Sequence, residues 1–473
     1  MERNKRLFKT TIIYFIGTFG SKLLVFFLMP LYSAYLSTEQ FGTVNLVTNI
    51  VPLIGPIFTL QVTETIFRFL CTSKNENEKK SYITNSLIIF ALGIIIFILL
   101  YIPICVKIKF QYSYLFIIYF IFNYLSLYLQ QVLRGMKKSI DYSVTGVVST
   151  LIQLIVNVLL IKSIHERSIL LATVLGTMVI TIYALIRLKF FNYIDLKLFN
   201  KDIIKKMLNY SLPLVPNQIS WWLNGTAGLY ILKFVCGTSA TGLVSFANKF
   251  PSLLMTVNSI FLLAWTENSI YEYDSEDKEK YYSKNLESFS KFLILFSAFL
   301  LPIIKVYYEF FISVTYHDSI TLVPLMFISM MFNAIASFIG TIYTASMKTK
   351  GAFYTTIVAG VVNIVASFIL IPIFNIYGYV LSNIISYVTF YITRKRSIDK
   401  IVKLQYNYKL YCFPIVVFVI SSIIYIKTGI IFNIISLFIQ ILIIIYMYRK
   451  LIYIIIKGLK IKLIERDKNA KRL

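Results

Sequence analysis

Residues 209–254 read NYSLPLVPNQISWWLNGTAGLYILKFVCGTSATGLVSFANKFPSLL, and within them the chain begins a second time. Laid over the N-terminal region with an offset of 200, Thr238 falls on Thr38, Gly242 on Gly42 and Val244 on Val44. Behind that turn the polar positions keep the register: Asn45/Ser245, Thr48/Asn248, Asn49/Lys249, Pro52/Ser252, Pro56/Thr256 and Thr59/Ser259. They step by three or four residues, so each set forms one stripe along a helix. Two apolar helices with matched polar stripes imply two halves facing one aqueous cavity.

Around this stretch the 473-residue chain is 58% hydrophobic, with mean hydropathy +0.74. Apolar runs long enough to span a bilayer recur from end to end, which marks a polytopic all-α membrane protein. The runs are continuous rather than alternating every second residue, so a β-barrel is excluded. They predict about fourteen spans, at roughly 8–33, 43–66, 82–104, 112–133, 140–162, 168–190, 209–233, 240–265, 285–306, 320–346, 351–372, 376–393, 409–427 and 429–450.

A net charge of +26 would suggest a nucleic-acid partner in a soluble chain. Here the positive-inside rule accounts for it, and no nucleic-acid partner is expected. With the N-terminus placed in the cytoplasm, 38 of the 47 Lys and Arg fall in cytoplasmic segments; the opposite loops keep only Lys107, Lys109, Lys162, Arg167, Lys233, Lys305 and Lys427, and Lys22 and Lys249 lie within spans. Both termini are therefore expected to be cytoplasmic, with a basic C-terminal tail along anionic headgroups. The first run is too long for a signal peptide and reads as an uncleaved span. Cys71, Cys105, Cys236 and Cys412 stand singly, His165 and His317 fall in short loops, and neither metal nor cofactor spacing occurs. Loops are short, without DxD, Walker A or paired outer acids, so an enzyme is not expected.

A second repeat joins RGMKKSIDYSVTGVVSTLIQLIVNVLLI, from Arg134, to ASMKTKGAFYTTIVAGVVNIVASFILIP, from Ala345. Its side chains align best at an offset of 211, with Met136 on Met347, Lys137 on Lys348 and Tyr142 on Phe353. Helices 1–6 thus repeat as helices 7–12 in the same orientation, which implies a pseudo-two-fold axis along the membrane normal. The expected organisation is an N-terminal lobe over 1–195, a C-terminal lobe over 196–400, and two accessory helices plus tail over 401–473.

Charges at bilayer depth normally face water, a partner or a ligand. Lys22, on a face with Thr11, Tyr14 and Thr18, and Lys249, on the stripe of helix 8, both lie on the order of 15 Å below the outer surface. One lysine per half at one depth would attract an anionic head such as a pyrophosphate; snorkelling to the interface is the alternative. Asn45 and Asn49 on helix 2, and Asn217, Trp221 and Asn224 on helix 7, complete the candidate substrate contacts, Trp beside Asn being suited to sugars. The same residues could instead serve helix packing. Glu64 and Arg68 are spaced i, i+4, the geometry of a helical ion pair or of a coupling and gating site.

LYSAYLSTEQFGTVNLVTNI (31–50), TIFRF (65–69), NYSLPLVPNQIS running into GTSATGLVSFANKF, and NIVASFILIPIFNIYG (363–378) stand out together. In combination they resemble polysaccharide flippases of the O-antigen type, in the superfamily that includes multidrug and toxin extrusion transporters and the lipid II flippase. The resemblance implies export of an undecaprenyl-pyrophosphate-linked oligosaccharide repeat unit across the bacterial plasma membrane by alternating access, for capsule, O-antigen or exopolysaccharide synthesis. It also implies a coupling ion, proton or sodium, and a polysaccharide polymerase as a candidate partner. Many relatives carry an Asp-Arg pair near the end of helix 7, where this chain has Ala227-Gly228. Two other readings compete: an ion-coupled drug or cation antiporter of the same superfamily, and a non-transporting scaffold for glycosyltransferases.

Overall fold

A computed structural model of the chain describes residues 26–447, apart from 110, 406 and 408, together with residue 449. Those residues form helices and connecting turns, with no strand among them. Among the described residues eleven helical stretches are long and apolar enough to cross a membrane by length and composition. The protein is multi-pass and all-α, and the fourteen-span reading is compatible with it. Most of the first expected span lies outside the described residues.

The two repeats begin alike. Residues 26–35 (α1) lead through Leu36 and Ser37 into Thr38–Asn49 (α2). Ser37 extends to φ −70° and ψ 159°, and its side chain accepts from Gln40 N–H while the Gln40 side chain returns to its backbone. That reciprocal capping sets the start of the helix. In the second repeat Lys201–Ser211 (α9) and Leu214–Gly225 (α10) precede Ala227–Ala247 (α11). Two hundred residues after Ser37, Gly237 turns α11 at φ 85° and ψ 175°.

Helix 2, expected as one rod over 43–66, is three pieces: α2, then Val51–Thr59 (α3) and Val62–Thr72 (α4). Pro52 and Pro56 lack the N–H that would bond the preceding turn. Leu60 and Gln61 both take left-handed φ, 49° and 55°, a conformation costing about 1 kcal/mol or more per non-glycine residue. Its counterpart after α11, Pro251–Tyr271 (α12), is unbroken, with its proline at the helix start.

The remaining helices are Glu76–Ile108 (α5), Ser113–Gly135 (α6), Ser139–Ile164 (α7), Glu166–Leu188 (α8), Lys278–Phe311 (α13), Leu322–Ala345 (α14), Thr349–Phe374 (α15), Ile376–Ile398 (α16), Lys409–Lys427 (α17) and Ile430–Met447 (α18). Equivalent pairs pack in both halves: α4 on α6 as α12 on α14, α6 on α8 as α14 on α16, and α7 on α8 as α15 on α16. Backbone landmarks correct the second offset from 211 to 210. Left-handed Lys137 matches Met347, the helix starts Ser139 and Thr349 match, and positive-φ His165 matches Asn375. The side-chain alignment on the two methionines was one residue out of step with the turns.

Glycines bring the copies together. A Cβ at Gly42 would collide with the Thr238 carbonyl, and one at Gly242 with the Thr38 carbonyl. Because each contact is the other transposed by 200 residues, the pair is self-complementary and a pseudo-two-fold axis passes between them. Thr38 and Ser239 hydroxyls hydrogen-bond beside it at 2.5 Å.

Residues 280–311 and the described residues between 405 and 447 form a second compact unit. Within it the Ser421 hydroxyl donates to the Ala298 carbonyl (3.1 Å), and Gln440 Nε2 donates to the hydroxyls of Ser421 (2.9 Å) and Ser436 (3.1 Å). Such bonds hold helices together where lipid offers no hydrophobic drive between them.

Candidate functional site

One turn along α2 and α11 from the glycine contact the two polar stripes separate around a cavity of about 260 Å³. Asn45 and Asn49 line it from α2; Ser245, Asn248, Lys249 and Ser252 line it from the second repeat; Phe26, Leu229 and Leu253 complete the wall. Of the two expected stripes, the positions nearest the glycine contact share this space, while Thr48, Pro52, Pro56, Thr59, Thr256 and Ser259 are not in its wall.

Several groups hold this wall. Asn45 Nδ2 donates back to the Phe41 carbonyl at 2.8 Å, which leaves its amide oxygen unspent. The Ser245 hydroxyl is buried with no protein partner, so a ligand or water facing it would satisfy it. Lys249 Nζ stands 6.0 Å from the centroid of the Phe41 ring, the outer limit of a cation–π contact.

The α2 backbone is tethered across the halves. Trp222 Nε1–H donates to the Asn49 carbonyl at 2.7 Å, and the Tyr230 hydroxyl donates to the Leu46 carbonyl at 2.8 Å. The Asn49 carbonyl is available because the Leu53 N–H turns to Ile50 instead, at 3.1 Å. At the glycine end, the Tyr316 hydroxyl sits between the Leu36 and Ser37 carbonyls at 3.1 and 3.0 Å. Its ring packs 4.4 Å from Phe246, which lies 5.6 Å from Phe41.

Other expected site residues are placed elsewhere. Trp221 stands edge-on to Phe390 at 5.8 Å, against the cluster of Ala336, Ala359, Tyr387 and Phe390. Buried Asn224 accepts from the Ser386 hydroxyl at 2.7 Å, and its Nδ2 has no partner. These two therefore face the packing of α10 with α15 and α16. Asn217 is half-buried on α10 and does not line the cavity. Lys22 lies outside the described residues, so its expected pairing with Lys249 does too.

The ion pair expected between Glu64 and Arg68 is not formed. Glu64 Oε1 accepts instead from Gln131 Nε2 at 2.7 Å, and both side chains of the expected pair are exposed. Gln131 in turn accepts from Arg134 at 2.9 Å, so the neighbouring helix α6 supplies the partner that helical spacing alone assigned to Arg68. At Gly228 a Cβ would approach the Ser367 hydroxyl at 3.0 Å and the Tyr379 ring at 3.2 Å. The backbone is packed too closely there for a large polar pair.

Among the described residues no group of three His, Cys, Asp or Glu could hold a metal ion. Trp222, Tyr230 and Tyr316 were not singled out by sequence reasoning. Their hydroxyl or indole N–H groups end on backbone carbonyls of another segment, which leaves no local pattern to find.

The family model described as "Polysaccharide biosynthesis protein" matches residues 7–267, more than half of the chain. The chain belongs to this family. Among curated proteins none matches the sequence significantly. Of solved structures, the lipid II flippase MurJ in an inward closed conformation is similar at TM-score 0.73 and 18% identity, covering 93% of this chain and 100% of that one. An inward-facing multidrug resistance MATE family transporter of the MOP superfamily gives TM-score 0.63 at 14% identity, over 83% of this chain and 95% of its own. An outward-facing one gives 0.52 at 17% identity over the same shares. At these identities the likeness establishes that this member of the polysaccharide biosynthesis family shares the fold of these transporters.

Proposed function

We propose that this protein is a flippase moving undecaprenyl-pyrophosphate-linked oligosaccharide repeat units across the bacterial plasma membrane, for capsule, O-antigen or exopolysaccharide synthesis. The observation that carries the reading is the polar cavity between repeat-related helices, with Lys249 in its wall and amides from both sides. A sugar pyrophosphate left in hydrocarbon would lose the water that solvates every hydroxyl and charged oxygen. The cavity replaces that water: the ammonium attracts the pyrophosphate, and Asn45, Asn49 and Asn248 offer both donors and acceptors to sugar hydroxyls. The prenyl chain stays in lipid.

On this reading residues 1–195 and 196–400 are the two lobes, 401–473 are accessory helices and tail, and both termini are cytoplasmic. The glycine contact then closes the cavity toward the outside, and Glu64 with Gln131 lies near the cytoplasmic mouth, where a coupling ion would act. Support comes from family membership, the fold shared with those transporters and the biased distribution of Lys and Arg.

The test is deletion of the gene in a strain that makes a surface polysaccharide. Prenyl-pyrophosphate-linked repeat units should accumulate in the inner leaflet, and wild-type protein, but not an equally abundant Lys249→Ala variant, should clear them. Unchanged lipid-linked sugar together with new drug sensitivity would replace this reading with the antiporter.

A further inference from the structure

Behind α2, on the side away from the polar cavity, lies a second and larger space of about 420 Å³. Its front wall is Val47, Ile50, Ile54 and Phe58 of α2 and α3. At 3.6 residues per turn those positions point opposite to Asn45 and Asn49. Helix 2 therefore presents the amides of α2 to the polar cavity, and Val47 together with Ile50 at the joint and Ile54 and Phe58 of α3 to the chamber.

The two walls differ in stiffness. The back wall is a stack of rings: Phe97 lies 3.7 Å from Phe120 and 5.3 Å from Tyr101, which lies 5.3 Å from Phe116. The Tyr101 hydroxyl anchors it by donating to the Ser113 carbonyl at 3.2 Å. The front wall is jointed at Ile50, Pro52, Pro56 and the left-handed Leu60 and Gln61, and α2 is held in place across the axis by the Gly42 and Gly242 contact. If that contact parts, the chamber is the room α2 can enter.

An apolar space of this size inside a membrane protein gains dispersion contacts when hydrocarbon can reach and fill it. Leu100 and Ile104, both in its lining, are 55% and 53% exposed on a membrane-spanning segment, so the chamber opens toward lipid. A chain joined to a headgroup in the polar cavity would have to pass around α2 to enter, which points to a bilayer lipid rather than the transported molecule.

We propose that the chamber is a site for one acyl chain of a bilayer lipid, and that a chain lodged there keeps α2 seated on α11 and the polar cavity closed at its glycine end. The closing role rests on the flippase reading, because only a transporter needs that end to open; binding of the chain does not.

The experiment uses the full-length protein in phosphatidylcholine–phosphatidylglycerol vesicles containing phosphatidylcholine with a photoactivatable diazirine in its acyl chain. Illumination should label residues of the chamber wall, and Ile54→Trp or, from the opposite wall, Leu100→Trp should lower that labelling about fourfold or more, the equivalent of one buried methylene. In a background with Cys71, Cys105, Cys236 and Cys412 replaced, Thr38→Cys with Ser239→Cys reports closure as disulfide yield. Filling the chamber with either tryptophan should raise that yield. Labelling that stays the same in both variants overturns the site, and labelling that falls while yield stays constant overturns the closing role. Full export by completely cross-linked protein would overturn the gating part of the flippase reading and leave the lipid site standing on its labelling.

Discussion

Helix 2 and helix 8 are copies whose backbones agree at the axis and diverge away from it. Ser37 and Gly237 mark the same junction, and Gly42 and Gly242 make the same contact in transposed form. Yet Ser37 is fastened by a capping box while Gly237 has nothing within 4 Å of where its Cβ would be. Farther along, α3 and α4 are split by left-handed Leu60 and Gln61, whereas α12 runs unbroken from Pro251 to Tyr271. Symmetry is retained where the halves touch each other, because a change in one member of a self-complementary contact strikes its twin. Away from the axis each copy is free to specialise: the first breaks again at Leu60 and Gln61, whereas the second carries Lys249 in the turn between α11 and α12 and then continues unbroken.

The largest effect is expected where symmetry is strictest. Gly42→Leu and Gly242→Leu should each destabilise the closed arrangement by about 1–3 kcal/mol, the range of overpacking in a filled site. Disulfide yield between Cys at 38 and Cys at 239 should drop alike in both, with a lower melting temperature in detergent. Clearly unequal losses would mean that the two contacts are not equivalent and that the axis lies elsewhere.

A second change tests the part of the comparison that is not symmetric. Asn49 and Lys249 are repeat-related and line one cavity, so the charge can be moved across the axis without leaving it. Lys249→Asn should reduce export about tenfold or more, the loss of one charge-assisted hydrogen bond at ~1.5–3 kcal/mol. Adding Asn49→Lys should recover much of it. If the double variant is as poor as the single one, the cavity reads position as well as charge, and the halves are less interchangeable than their backbones.

Much of this was legible in the chain because it is local. Helical stripes, matched glycines and long apolar runs each depend on spacing along a single helix, so spans 3–6, 9–11, 13 and 14 and the shared cavity facing of Asn45, Asn49 and Lys249 followed from periodicity. What was not legible depends on neighbours. Leucine and glutamine carry no preference for left-handed φ, so the break at Leu60 and Gln61 leaves no mark in the sequence. Trp221 and Asn224 form a polar band that suits a cavity or a helix interface equally, and only the position of Ser386 and Phe390 decides between them. Arg394 shows the same limit at the end of α16. It is 5% exposed, and its guanidinium donates to the Ala336 carbonyl (2.9 Å) and the Thr355 and Thr356 hydroxyls (3.3 and 3.4 Å), none of them acidic. In the first half Arg187 bonds Asp141 at 2.8 Å.

The smallest expected effect concerns the tethers that the first repeat receives from the second. Trp222→Phe keeps a ring against Tyr230, 5.4 Å away, but removes the N–H that reaches the Asn49 carbonyl. Tyr230→Phe likewise removes only the bond to the Leu46 carbonyl. Each should lower stability by about 1 kcal/mol, the net worth of one buried hydrogen bond. The Leu46 carbonyl also accepts from the Ile50 N–H at 3.2 Å, so it stays partnered in Tyr230→Phe, whereas Asn49 loses its donor in Trp222→Phe. Trp222→Phe should therefore be the more damaging of the two in a thermal melt, and it should lower the 38–239 disulfide yield more. Equal melts would show that water replaces the indole at Asn49, making that carbonyl part of the wet wall of the cavity rather than a fixed tether.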